Sequence, residues 1–247
     1  MLIALCVLSC ADRSAIRPAK PPTKAAGAPG GVWVDKEGNL RIEAELYAIN
    51  YDSEQPDLRK VDELYDELYD DNIIAYMDLS SKAEFHSTPG SFSNGRFSFC
   101  IPPPADEELD TAMERFFTLP EDWFKQGADV KIGALYVCTE AYYSYFWFFS
   151  NPNVVYEDWD NVYDDGTFYV SGDTCVFIYS HGDVLISGAD IMIDEWGTNI
   201  DRTASIRFTK GWNVLYSSGN YSYQDDTETS VVSSRLPDAG AKWVLGY

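Results

Sequence analysis

Histidine is almost absent from this chain: His86 and His181 are the only two in 247 residues. A histidine-rich metal centre or a two-histidine mechanism is thereby excluded. His181 stands in Ser180-His181-Gly182-Asp183, which reads as a turn. There is no Cys-x-x-Cys pair, which argues against structural zinc. Also missing are the Gly-x-Ser-x-Gly elbow, the P-loop, Gly-x-Gly-x-x-Gly and His-Glu-x-x-His. Basic residues are scarce: 18 Lys and Arg face 40 Asp and Glu, a net charge of −22. Such a surface repels nucleic acid, and it favours cations and basic partners. No apolar run approaches the ~20 residues that a membrane-spanning helix needs. Cysteine is sparse as well. Beyond Cys6 and Cys10 there are Cys100, Cys138 and Cys175, each within a strand-like run. Three buried free thiols, or one disulfide and one free thiol, both fit that pattern.

What the chain does carry begins at its N-terminus. Met1–Leu8 is apolar and is followed by Ser9 and Cys10. Residues 11–31 hold Pro18, Pro21, Pro22 and Pro29 and no apolar period, the composition of an extended linker. Four bases there (Arg13, Arg17, Lys20, Lys24) face one acid, Asp12. They suit the neighbourhood of an anionic leaflet, or simply a solubilising spacer. Val7-Leu8-Ser9-Cys10 resembles the lipobox of bacterial lipoproteins. The resemblance implies that Cys10 is lipidated and becomes the first residue of the mature chain. Residues 1–10 are then a lipoprotein signal segment, and 11–31 a flexible Pro/Ala tether. The protein is expected to be extracytoplasmic, held to a bacterial membrane by this anchor.

Residues 32–247 form the globular region, enough for one large or two small domains, with any sub-boundary near 104–121. Removing the four bases and one acid of the first 31 residues leaves 14 bases and 39 acids, a charge of about −25. Phe, Tyr and Trp make up 15% of the chain, too many for disorder. Asn39–Asn50 alternates cleanly, with Leu40, Ile42, Ala44, Leu46 and Ala48 on one face. That period of two predicts a half-buried strand. Further strands are expected at Ile73–Leu79, Gly95–Ile101, Val130–Thr139, Ala141–Phe149, Thr167–Val170, Cys175–Tyr179, Val184–Ser187, Ala204–Phe208, Val214–Tyr216, Ser230–Ser234 and Lys242–Tyr247. Asn94-Gly95, Asp165-Gly166, Ser171-Gly172-Asp173, His181-Gly182-Asp183 and Lys210-Gly211 supply turn signals. Many short strands predict an all-β fold, a β-sandwich (one large or two small). One or two short helices sit in connections. Asp106–Phe117 has helical apolar spacing up to Pro120, and so does Asp57–Asp71, where Asp62-Glu63-Leu64-Tyr65 repeats as Asp66-Glu67-Leu68-Tyr69. That second segment reads as a helix or an acidic loop.

Phe177-Ile178-Tyr179-Ser180-His181-Gly182-Asp183-Val184-Leu185-Ile186-Ser187-Gly188 is similar to a recurring segment of spirochaetal and Bacteroidetes extracytoplasmic lipoproteins. Ile206-Arg207-Phe208-Thr209-Lys210-Gly211-Trp212-Asn213-Val214 resembles the Lys-Gly-Trp-Asn hairpin that follows it there. This likeness implies a fold class and an address and brings no catalytic residues.

Two clusters point towards chemistry. Asp158, Asp160, Asp164 and Asp165 precede Gly166 and would suit calcium, which takes several oxygens, although their spacing departs from the EF-hand pattern. A solvated acidic loop fits the same residues. Tyr156, Trp159 and Tyr163 stand among acids in Asn153–Gly166, a stretch that reads as an exposed loop. Exposed rings beside carboxylates can stack on sugars or anchor a protein partner. The aromatic run Tyr142–Phe149 reads instead as a strand buried on both faces. The expectation is a lipid-anchored, non-enzymatic cell-envelope protein that binds a protein or carbohydrate. The alternative is a carbohydrate-active envelope enzyme using paired carboxylates.

Overall fold

The computed structural model describes residues 18, 20, 21, 28–52, 55–64, 73–78, 87–105, 109–139, 145–157, 167–194, 197–222 and 227–246. Seventeen strands among them join in one hydrogen-bonded network. The first are β1 (Val32–Val34), β2 (Leu40–Asn50), β3 (Asp57–Lys60), β4 (Ile73–Asp78), β5 (Ser87–Pro89), β6 (Ser91–Ser93) and β7 (Arg96–Ile101). Then come β8 (Asp110–Thr111), β9 (Phe124–Gln126), β10 (Lys131–Thr139), β11 (Phe146–Glu157) and β12 (Thr167–Ser180). The last are β13 (Val184–Ile193), β14 (Asn199–Phe208), β15 (Gly211–Ser222), β16 (Thr227–Ser233) and β17 (Lys242–Leu245). Two single helical turns, α1 (Val61–Leu64) and α2 (Ala112–Arg115), interrupt them. The fold is all-β, as the alternating pattern predicts.

β10, β12 and β15 form the central wall, β12 pairing with both neighbours. Leu135 and Val137 of β10, Cys175, Phe177 and Tyr179 of β12, and Trp212, Val214 and Tyr216 of β15 enter one core. The alternate residues Ile132, Ala134, Val176, Ile178 and Leu215 enter a second. Strands buried on both faces read as unbroken apolar runs; Cys175-Val176-Phe177-Ile178-Tyr179 is such a run. The first core is closed by Leu40, Ile42 and Leu46 of β2, Phe97 and Phe99 of β7, Phe146 and Phe148 of β11, and Trp243 of β17. The second is closed by Val184, Ile186, Ala204, Ile206 and Phe208 of β13 and β14, with Ala112 and Trp123. β2 is the seam. Its first half pairs with β1 and β7, and its second half with β3 and, in parallel, with β17.

Several expectations need correction. Asp57–Lys60 is not helical but a strand paired with Ile49 and its neighbours on β2. Only Val61–Leu64 turns into helix, and 65–72 lie outside the described residues. The Asp106–Phe117 helix shrinks to Ala112–Arg115, because Asp110–Thr111 pairs with Lys131–Ile132. Thr111 caps that turn through a capping box with Glu114, which fixes its start. Ser171-Gly172-Asp173 is no turn. β12 runs straight through it, and the irregularity sits opposite, in the β11 bulge between Ser150 and Asn153. At Gly172, with φ +156°, a Cβ would stand 3.2 Å from Pro152 Cα, closer than ordinary van der Waals contact. Asn153–Glu157 is therefore strand rather than loop. The run Phe146–Phe149 is buried on one face only, since Trp147 is 39% exposed. Cys100, Cys138 and Cys175 are free thiols, and Cys100 is exposed. Burial raises the Cys138 thiol to about 11. The first two turn signals fare differently: Asn94 and Gly95 both take positive φ in the β6–β7 hairpin, whereas Asp165-Gly166 lies outside the described residues.

Lys210-Gly211-Trp212-Asn213 is a structural corner. β14 and β15 are joined through it yet do not pair with each other; β16 lies between them. The fully buried Asn213 amide donates to Thr209 O at 2.8 Å and Gly211 O at 2.7 Å, and accepts from Thr209 N at 3.1 Å. Gly211 takes φ +97°, a conformation side chains resist. Asn213→Ala should cost about 1–3 kcal/mol of stability, since it leaves part-buried backbone groups of Thr209 and Gly211 unpaired. Urea unfolding checks this, with exposed Lys210→Ala as the neutral control; equal stability of the two variants would show that the corner does not depend on this amide.

Candidate functional site

Most of the residues singled out by sequence lie outside the described set: Cys10, Asp158, Asp160, Asp164, Asp165, Trp159 and Tyr163. Tyr156 falls in β11, opposite Phe168, though nothing is described of its side chain. Among the described residues no group of three or more His, Cys, Asp or Glu could hold a metal. No described helix is long and apolar enough to cross a membrane. Described residues of the N-terminal linker touch the body. Lys20 Nζ donates to Lys210 O at 2.6 Å, and Pro21 is buried.

The structure offers a different site, a cleft of about 340 Å³ above the β2 seam. Its floor follows from strand alternation. With Leu40, Ile42, Ala44, Leu46 and Ala48 turned to the core, Glu43, Glu45 and Tyr47 must face outward. Register then places Arg96 of β7 opposite Glu45, Lys60 of β3 opposite Tyr47, and Val244 of β17 on the other side of Tyr47. Lys242 therefore reaches the same floor, its Nζ 4.7 Å from the centre of the Tyr47 ring. The walls are small residues. Pro29–Gly31 makes one 3₁₀ turn on one side, and Ala239, Gly240 and Ala241 stand on the other. Gly31 is obligatory, since a Cβ would lie 2.0 Å from Glu43 O. Trp243 Nε1 donates to Gly30 O at 3.1 Å and pins that wall to the core.

Glu45 is the electrostatic hub of the floor. It accepts from Lys60 Nζ at 2.8 Å and from Tyr47 OH at 3.1 Å, and Arg96 NH1 stands 4.0 Å away. The hydrogen bond from Lys60 leads in holding the Glu45 carboxyl below its ordinary value, so it is ionised at neutral pH. Tyr47 is shifted the other way, by burial and then by the hydrogen bond to that carboxylate.

The 239–241 wall is set by a second polar group. At the β11 bulge Asn151 takes φ +51°. Asn151 Nδ2 and Ser150 Oγ both donate to Asp238 Oδ2, at 2.7 and 2.9 Å, and Asp238 N donates back to Ser150 Oγ at 3.0 Å. Arg235 adds 3.3 Å contact to Asp238 and lies 4.7 Å over the Tyr216 ring. Tyr216 OH in turn donates to Asp173. Burial, then this carboxylate, push the Tyr216 phenol up to about 12. Cys175 is likewise pushed to about 12 by burial, reinforced by Asp173 and Asp238, so neither group is a reactive anion at neutral pH. The group is a clasp between the loop and β11.

Comparison with protein families, with curated proteins and with solved structures finds no match to this chain. None of Glu45, Tyr47, Arg96 or Lys242 stood out in sequence, because each occupies an ordinary outward position of an alternating strand. The one usable signal was the clean alternation of β2.

Hydrogen bonds, first from Ser150, hold the Asp238 carboxyl below its ordinary value of 3.8. A depressed carboxyl stabilises the fold fully above its unfolded value and loses that contribution as pH falls through the lower folded value. Wild-type urea midpoints should therefore drop below pH 3.8 more steeply than those of Asp238→Asn, which lacks the titrating group. Parallel curves for the two proteins would remove Asp238 from the clasp.

Proposed function

We propose that this chain is a lipid-anchored, extracytoplasmic protein that binds a small ligand in the β2 cleft and performs no chemistry on it. The cleft itself is the observation that carries the reading. Its volume of about 340 Å³ falls within the range of small-ligand sites. Its glycine and alanine walls let a ligand approach backbone groups closely, and its floor brings charges of both signs within reach. The lipobox at Cys10 and the basic linker behind it support the address. The enzyme alternative looks to Glu43 and Glu45, which line the same cleft. Glycoside hydrolysis needs two carboxyls flanking the scissile bond, one of them a proton donor. Glu43 and Glu45 project two residues apart from the same face of one strand and so do not flank a bond from opposite sides. The floor therefore supports binding better than hydrolysis.

Two measurements test the reading. Expressed in a bacterium with a labelled fatty acid, the wild-type chain should take up label and Cys10→Ala should not; label on Cys10→Ala would sink the anchor. Native mass spectrometry should find a small molecule retained by wild type and lost from Ala239→Trp, which fills the cleft from an exposed position. Equal retention by both would place the ligand elsewhere.

A further inference from the structure

We infer that the cleft takes its ligand by a single carboxylate, seated between Arg96 and Lys242. This rests on the reading of the cleft as a ligand site and names the class of ligand. In a chain of net charge −22 with only 18 bases, two bases from different strands line this cleft, Arg96 of β7 and Lys242 of β17, and Lys60 of β3 reaches Glu45 from beside it. Two acids, Glu43 and Glu45, line the cleft with Arg96 and Lys242, so the lining itself is balanced in charge. Lys60 is already committed to Glu45 at 2.8 Å. Arg96 is not. At 4.0 Å from Glu45, with its side chain 64% exposed, it keeps its planar fork of donors for a second partner. Lys242 has no carboxylate within ion-pair distance among the described residues and rests on the Tyr47 ring instead. Arg96 and Lys242 come from two strands that pair with β2 and line the same cleft, and an arginine fork with a lysine ammonium is a donor set that a carboxylate recognises.

The same geometry argues against other classes. A neutral sugar binds best by stacking on an exposed ring, and the face of Tyr47 is taken by Lys242. A dianionic phosphate would meet Glu43 and Glu45 together with the field of the whole acidic body. A monocarboxylate carries enough charge to pair and too little to be expelled. The small walls at Gly30, Gly31 and Gly240 leave room for the uncharged remainder beside the backbone. That carboxylate can come from a sugar acid or from a peptide C-terminus.

The test titrates the purified full chain with glucuronate, N-acetylglycine, glucose and inorganic phosphate, following the Trp243 indole N–H by NMR. At least one carboxylate should bind and weaken with added salt. Lys242→Gln and Arg96→Gln should each weaken it by about tenfold or more, the scale of one charge-assisted hydrogen bond. Lys36→Gln, at a position 89% exposed and away from the cleft, should leave it unchanged. Unaltered melting temperatures show that the variants are folded. Binding of glucuronate alone assigns a sugar acid, and binding of N-acetylglycine alone a peptide end. Glucose or phosphate binding as tightly as the carboxylates, with no effect of Lys242→Gln, overturns the carboxylate assignment and leaves the cleft a ligand site. If no probe moves the indole signal at millimolar concentration, the carboxylate assignment and the cleft reading fall together.

Discussion

The indole of Trp243 is the point on which sheet, core and cleft all depend. Its ring stacks on Phe148 at 4.7 Å and meets Phe97 edge-on at 5.4 Å. Phe148 continues the stack to Phe177 of the central wall at 5.5 Å. Each such pair contributes about 0.5–1.5 kcal/mol beyond the burial of its area. The indole N–H meanwhile holds Gly30 O, so one side chain joins the N-terminal turn to the last strand. β17 is only Lys242–Leu245, yet it bridges β11 on one edge and β2 on the other. A strand so short has little hydrogen bonding to offer; its side chains fix its place. The cleft floor exists because that placement brings Lys242 beside Tyr47.

The second constraint is charge. A body with so many acids must distribute its few bases where they relieve most repulsion. Several arginines sit in ion pairs: Arg41 with Asp35, Arg59 with Asp57, Arg202 with Asp190 and Arg235 with Asp238. Exposed pairs of this kind contribute little individually. Arg202 is the best held, giving Asp190 two hydrogen bonds of 2.9 and 2.6 Å, donating to Thr118 O, and lying 5.7 Å from the Trp123 ring centre. Its neighbourhood is a structural joint between the α2–β9 connection and β13. Arg96 stands at the 4.0 Å limit of its pair with Glu45, and Lys242 rests on the Tyr47 ring instead of a carboxylate.

The sequence made the strands legible where local signals suffice. β2 alternates without a break, and Asn94-Gly95 imposes its hairpin by conformational preference alone. β12 was harder to read because Gly172-Asp173 looks like a turn when only one chain is considered. In the fold it is a straight strand whose glycine makes room for the bulge of a neighbour. Asp57–Lys60 carries a helical apolar spacing, yet pairing with β2 outweighs so weak a local preference. The cleft was illegible for a different reason. Arg96, Lys60 and Lys242 become neighbours only through strand pairings, and the Trp243–Leu46 register joins opposite ends of the chain. No window along the sequence contains that contact. The aromatic and acidic stretch Tyr156–Asp165, conspicuous in sequence, lies almost wholly outside the described residues.

The parallel contact between β17 and β2 also dictates an order of assembly. The β2–β7 pairing closes a loop within the first half of the chain, whereas the Trp243–Leu46 contact spans most of it. Their apolar faces, Leu46 and Phe97 among them, share a core with Phe146, Phe148 and Phe177, which Trp243 completes. Closing a contact across so much intervening chain is entropically slow. The core around Leu46 and Phe97 is therefore completed by its longest-range contact, and loss of the β17–β2 pairing would uncover an apolar face of β2.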